Sequence, residues 1–173
     1  MLGTSHAALA VASLILGAMV IIQRKGGLRH RLLGYLYAGA LLLVNLSALS
    51  VYEEASGLGP FHILALVSLA TLSGGFIPAF RRWPRDSWLE VHAYFMSWSY
   101  VGLVAAGAAQ MATKHLGPGV LQVAAPTALT VALGAVLIHS RVPRILSGFN
   151  RGRMRPDDSR PRTSVALPRA CRW

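Results

Sequence analysis

The stretch RKGGLRHRLLGYLYAGALLLVNLSALS, residues 24–50, sets four cations and a histidine directly before a run of apolar residues. From Leu32 to Val51 this run has the length of a helix that crosses a bilayer, which is about twenty mostly apolar residues. Apolar residues surround most of the helix circumference instead of forming one stripe. The stretch therefore predicts a transmembrane helix that begins beside a basic loop.

Four further segments have the same character: Thr4 to Ile22, Phe61 to Phe80, Val91 to Met111 and Val120 to Ile138. Polar residues and Pro126 make the last of them the least regular, and small residues such as Gly74, Gly75 and Gly134 favour close helix packing. The chain of 173 residues is 54% hydrophobic and only 13% charged, whereas soluble domains carry about a quarter charged residues. We therefore predict an all-α, polytopic transmembrane helix bundle of five spans over residues 1–140.

The positive charges predict an orientation. Sixteen of the seventeen Lys and Arg residues lie in loops 23–31 and 81–90 and in the segment 141–173. Five crossings place all three regions on one side, and cytoplasmic loops carry the excess of positive charge. The N-terminus is then outside a bacterial inner membrane. Residues 141–173 form a basic, disordered cytoplasmic tail that contacts anionic lipid headgroups.

The net charge of +11 is also compatible with nucleic acid binding. However, the basic tail has no interleaved aromatic residues, and the membrane topology already accounts for its charge. No nucleic acid partner is expected.

Four histidines recur at corresponding places in the predicted spans. His6, His30, His62 and His92 each lie near the first residue of one of the first four spans. Because successive spans alternate in direction, His6 and His62 fall at the outer level, and His30 and His92 at the inner level. A helix rises about 1.5 Å per residue, so the two levels lie roughly 30 Å apart and cannot share one metal ion.

Each level can instead hold one pair of histidines on two helices that run parallel. Two axial imidazoles from neighbouring helices are what a six-coordinate haem b requires. We therefore predict that His6 with His62, and His30 with His92, are cofactor-binding pairs of a haem- or quinone-linked membrane electron carrier. Lys25, Arg29 and Arg31 are placed to neutralise haem propionates at the inner level, whereas the outer level has no comparable cations.

Other interpretations use the same sequence. Histidine suits the headgroup region of a membrane, as Trp and Tyr do. The chain is then a non-enzymatic component without a cofactor, such as a small transporter or accessory subunit, in which Asn45, Ser73 and Gln110 matter more. A zinc or copper site lacks a nearby Cys, and Glu90 and His92 are too close in sequence for one helix face. No catalytic motif is present, so the sequence leaves open whether the chain is an enzyme.

A set of short motifs carries a resemblance to a known family. The motifs are the early His6, the turn KGGLRHRLLGYLY, the pair Phe61-His62 followed by LALVSLATL, and HAYFMSWSY beginning at His92. Over about residues 6–105, their order and spacing resemble a family of bacterial membrane proteins called domain of unknown function 2306. Relatives carry basic residues where this chain has Ala93 and Trp98, which implies that an anion contact is lost here. The resemblance implies a multi-span bundle and no established activity.

Overall fold

The computed structural model describes the backbone of residues 2–50 and 60–153 and the side chains of residues 4–50 and 61–148. Within these ranges the chain forms five α-helices and no strand: α1 (Leu2–Ile22), α2 (Leu28–Ser50), α3 (Pro60–Arg81), α4 (Trp88–Leu116) and α5 (Val120–Arg153). The predicted all-α architecture is confirmed. The end of the predicted tail, residues 154–173, lies outside the described residues.

Each helix packs against the next one in the chain, and α1 also packs against α4. Consecutive helices run antiparallel: His6 near the start of α1 contacts Ser47 near the end of α2. In the same way, His92 near the start of α4 contacts Gly75 in the second half of α3. The first four helices therefore form a ring in which α1 is diagonal to α3 and α2 is diagonal to α4. The fifth helix covers α4 from outside this ring.

The core lies at the centre of the ring. Tyr37 and Leu41 of α2 are buried there with Leu72 of α3 and Leu103 of α4. Many large apolar side chains instead remain exposed on the outer faces of the helices. This distribution is the one expected for a bundle whose surrounding solvent is lipid.

Glycines allow the helices to approach closely at several of the predicted positions. A Cβ atom built on Gly75 would lie 2.8 Å from Cγ of Met96, and one built on Gly134 would lie 2.6 Å from Cγ1 of Val101. Both gaps are too short for a side chain, so the α3–α4 and α4–α5 contacts depend on these glycines. At Gly102 and Gly107, in contrast, a Cβ would meet no atom within 4 Å.

Four helices have the length and hydropathy of membrane spans: α1, α2, α3 and the part of α5 from Val120 to Gly148. The irregular fifth segment is thus apolar enough to cross. The fourth helix does not reach the same hydropathy, although it is 29 residues long. It lies between α1, α3 and α5, so neighbouring helices shield its polar residues, such as the fully buried Ser99, from lipid.

Three helices extend several residues beyond their predicted ends, and the fourth (Trp88–Leu116) does so at both ends. The second begins at Leu28, so His30 lies in its first turn. The fifth continues past Ile138 to Arg153, which makes the first part of the predicted tail helical. Burial of Gly134, Ile138 and Val142 at every fourth position shows that one packed face continues into the first turn of this extension.

Candidate cofactor site

The predicted inner pair lies together at one end of the bundle. His30 is the third residue of α2, and His92 is the fifth residue of α4. The two imidazoles are close enough to interact electrostatically, and Lys25 acts on His30 in the same way. Because α2 and α4 are diagonal, these two histidines lie on opposite helices at the same end of the four-helix ring.

His92 is held by a hydrogen bond to the neighbouring helix. Its Nδ1 atom lies 2.9 Å from the carbonyl oxygen of Gly75. A carbonyl can only accept, so Nδ1 carries the proton, and Nε2 of the neutral ring keeps its lone pair. Histidines that ligate a metal commonly donate their other N–H to a backbone carbonyl in this way. In the neutral ring, the Nε2 atom of His92 therefore has the lone pair that an axial ligand needs.

His30 has a ring nitrogen without a partner. Its Nδ1 atom is buried and has no hydrogen bond within the part of the chain that the structure describes. The ring lies beside the Val20 carbonyl at the end of α1. That end is capped by Lys25, whose Nζ donates to the carbonyls of Val20 (2.8 Å) and Ile21 (2.6 Å). A buried polar atom without a partner costs about 1–3 kcal/mol, so ligation of this nitrogen would relieve a penalty.

At the opposite end of the bundle, His6 lines a cavity of about 60 Å³. Its Nδ1 atom lies 2.7 Å from Oγ of Ser47. The Ser47 hydroxyl donates its single proton to the Val44 carbonyl, so it accepts from His6. As in His92, Nδ1 is the donor and Nε2 keeps the lone pair. Across the same cavity Asn45 donates to Ser68 over 3.1 Å.

His62 lies at the same level as His6, on the diagonal helix α3. Its side chain is buried, but it does not line the His6 cavity, whereas the preceding residue Phe61 does. The cavity is also smaller than the roughly 300–1,000 Å³ of sites for drug-sized ligands. A porphyrin at this level therefore requires α1 and α3 to move apart.

The remaining candidates lie apart from these positions. His139 of α5 is exposed and tilts against Tyr94 of α4, with ring centroids 6.1 Å apart. His115 and Gln110 are exposed on α4, whereas Asn45 is buried in the bundle. Within the described residues, no group of three or more His, Cys, Asp and Glu side chains forms a metal-binding cluster.

Two partner residues of the histidines carried no recognisable signal in the sequence. Ser47 and Gly75 hold His6 and His92, yet each belongs to a residue type that occurs throughout the spans. Their spacing from the histidines reflects the register between antiparallel helices, which a single helix does not reveal. Ser47 and Gly75 could be identified only once the register between neighbouring helices was known.

The described helices form an antiparallel bundle, and four of the five are long and apolar enough to span a membrane. This architecture is that of a multi-pass membrane protein. The family described as "Predicted membrane protein (DUF2306)" matches residues 3–146, so the chain belongs to that family. The resemblance found in the short histidine motifs is thereby confirmed. No curated protein and no solved structure matches the chain.

Proposed function

We propose that this protein is a membrane electron carrier that binds haem b through His30 with His92 and through His6 with His62. The observation that carries the proposal is the Nδ1–H bond of His92 to the Gly75 carbonyl. In the neutral ring, that bond leaves Nε2 with a lone pair that can bind a metal. The second imidazole, that of His30, lies at the same end of the bundle and has a ring nitrogen without a hydrogen bond. Two neutral imidazoles on diagonal helices of a bundle are suitable axial ligands for haem.

Haem b, when bound, takes up and releases one electron at its iron. The chain supplies orientation and charge. Gly75 fixes the rotation of the His92 ring, and Ser47 does the same for His6. At the inner end, Lys25, Arg29 and Arg31 provide the positive charge that balances haem propionates.

The two pairs lie at opposite ends of a bundle of membrane-spanning length, which supports electron transfer across the bilayer. The basic loops 23–27 and 82–87 lie at the same end as the basic C-terminal part of α5. By the positive-inside rule this end is cytoplasmic, and the membrane is a bacterial inner membrane. The basic segment that follows α5 contacts anionic headgroups there.

A non-enzymatic role without a cofactor is the second candidate, and the His6–Ser47 and His92–Gly75 hydrogen bonds favour it. In that role the histidines join neighbouring helices. The small volume beside His6 agrees with a packed contact. Substitution of His92 would then reduce stability but would change no optical property.

An absorption spectrum separates the two candidates. Protein purified from haem-replete cells should show the Soret and α bands of a bis-imidazole haem on reduction. His30→Leu and His92→Leu should each lose the inner part of this signal. His139→Leu, which removes an exposed histidine at the same end, should retain it. A colourless wild-type protein would leave the cofactor-free role as the better account.

A further inference from the structure

A second cavity lies between α3, α4 and α5, apart from the histidines. Its volume is about 220 Å³. Ser68 and Thr71 of α3, Trp98 and Gly102 of α4, and Thr127 of α5 line it together with Val and Leu side chains. These residues lie within the apolar segments of their helices, more than one turn from either end. The cavity is thus a mostly apolar space with a few polar groups, the usual composition of a small-molecule site.

Two hydrogen-bond donors in the cavity wall are unused. Oγ1 of Thr127 is buried and has no hydrogen bond to any described residue. A threonine in a helix commonly bonds to a carbonyl one turn earlier. Thr71 on the opposite wall does so, at 3.1 Å to Val67 and 2.9 Å to Ser68. The indole N–H of Trp98, which can only donate, also has no hydrogen bond within the described ranges, but this half-buried side chain keeps its nitrogen accessible.

Hydrogen-bond donors without a partner in this cavity favour a ligand that carries a hydrogen-bond acceptor. A buried hydroxyl without an acceptor is costly in an apolar environment, and an accessible indole N–H in such an environment favours a hydrogen-bond acceptor. A carbonyl oxygen can accept from either group, and the apolar remainder of such a molecule would contact the Val and Leu walls. We propose that this cavity binds a membrane-dissolved, apolar molecule through its carbonyl oxygens, with Thr127 and Trp98 as the donors. Quinones and the acyl esters of lipids both have this chemistry.

The proposed site adjoins the His6 cavity. Leu64, Ser68 and Gly102 line both cavities, so a single layer of residues separates them. A bound quinone would therefore lie beside the outer histidine level. The inference itself rests on the cavity and its donors and stands whether or not haem is bound at His6.

Trp98 provides a direct readout of occupancy. A variant with Trp83, Trp88 and Trp173 replaced by Phe keeps Trp98 as its only indole. Titration of this variant in lipid nanodiscs with a decyl-substituted benzoquinone should quench its fluorescence with saturation. The matched variant that keeps only Trp83, which is 70% exposed and lies outside the cavity, should show non-saturating quenching. Non-saturating quenching in both variants would overturn the proposal.

Substitutions of residues that line the cavity test the role of the Thr127 hydroxyl and the need for an open cavity volume. Thr127→Val keeps the shape and should weaken quinone binding about ten-fold, because one hydrogen bond is lost. Thr71→Val should change binding less than about two-fold, because the Thr71 hydroxyl already has backbone partners. Gly102→Leu should fill the cavity and abolish saturation. Gly107→Leu, at a position that is equally open but outside the cavity, should not. Wild-type affinity in both Thr127→Val and Gly102→Leu would contradict the proposal.

Native mass spectrometry of the same proteins separates the two sources of the carbonyl. A retained quinone mass that disappears in Gly102→Leu but persists in Gly107→Leu assigns the site to a quinone. A phospholipid mass with this behaviour supports the site and assigns it to an acyl ester. A bound mass that is the same in wild type and Gly102→Leu would count against any occupant of this cavity.

Discussion

At the centre of the bundle, the hydroxyl of Tyr37 donates to Oγ of Ser99 over 3.0 Å. The direction of this bond follows from Ser99, whose own proton is donated to the Met96 carbonyl at 2.9 Å. Tyr37 is 2% exposed and Ser99 is fully buried. The pair therefore links α2 to α4 across the diagonal of the ring, where water cannot replace a missing partner.

Ser99→Ala should reduce the free energy of unfolding by about 1–3 kcal/mol, because it leaves a buried phenol without an acceptor. Tyr37→Phe should cost less, since Ser99 keeps its bond to Met96. The double variant should then be more stable than the sum of the single losses implies. Equilibrium unfolding in mixed detergent and dodecyl sulfate micelles measures all three, and strictly additive losses would contradict the hydrogen bond.

The sequence alone indicated some of the candidate site residues but not their hydrogen-bond partners. The four histidines were predicted as ligands because one histidine lies near the start of each of the first four spans. The structure places His30 and His92 at the same end of the bundle. Their hydrogen-bond partners could not be chosen, because a serine or glycine in an apolar helix has many equivalent positions. Protonation at Nδ1 follows from those partners, so it required the structure.

At the scale of the helices, a missed glycine fixes the packing of α1. A Cβ atom on Gly17 would lie 2.6 Å from Cε2 of Tyr100 and 2.9 Å from Cε2 of Tyr37. Tyr100 in turn donates its hydroxyl to the Leu14 carbonyl of α1 over 3.3 Å. The first helix thus closes the ring onto α4 through a tyrosine that only a glycine admits.

Gly17→Ala should destabilise the protein by about 1–3 kcal/mol, the usual cost of overpacking. Gly107→Ala is the matched control: its added methyl group meets open space, and alanine favours the helix more than glycine does. The same micelle unfolding assay should show a loss for the first variant and none for the second. Equal stability of the two variants would show that α1 does not pack on Tyr100 in this way.

Helix identity was predictable from apolar runs, but helix ends were not. The second helix extends back to Leu28 through Arg29, because a cationic side chain can reach the headgroups from the first turn. The fifth continues past Ile138 because Val142 carries the packed face one turn further. Both extensions depend on contacts with neighbouring helices or with lipid headgroups. A count of apolar residues along the sequence does not detect such contacts.

At the scale of the whole molecule, the prediction that α4 crosses the membrane has the least support from hydropathy. Its hydropathy is below that of the other four helices, yet it packs against three of them. The order of the helices around the ring, with α1 against α4, also had no signal in the sequence. Spans that are apolar on all sides do not indicate which neighbour they face.

Cysteine labelling tests this topology. In a Cys171→Ser background, Arg85→Cys and His115→Cys place single thiols at the two ends of α4. A membrane-impermeant maleimide added to intact spheroplasts should label position 115 only, and lysis should expose position 85. Labelling of both positions, or of position 85 alone, would show that α4 does not cross in the proposed direction.

The haem-to-chain ratio of the purified protein tests the central claim, paired histidines as haem ligands, most directly. Pyridine haemochrome assay of the wild type should give about two haems per chain, since each histidine pair supplies two axial ligands for one haem. His92→Leu should give about one haem per chain, and His139→Leu should match the wild type. A ratio near zero in haem-replete wild-type protein, or a ratio that His92→Leu leaves unchanged, would contradict the claim.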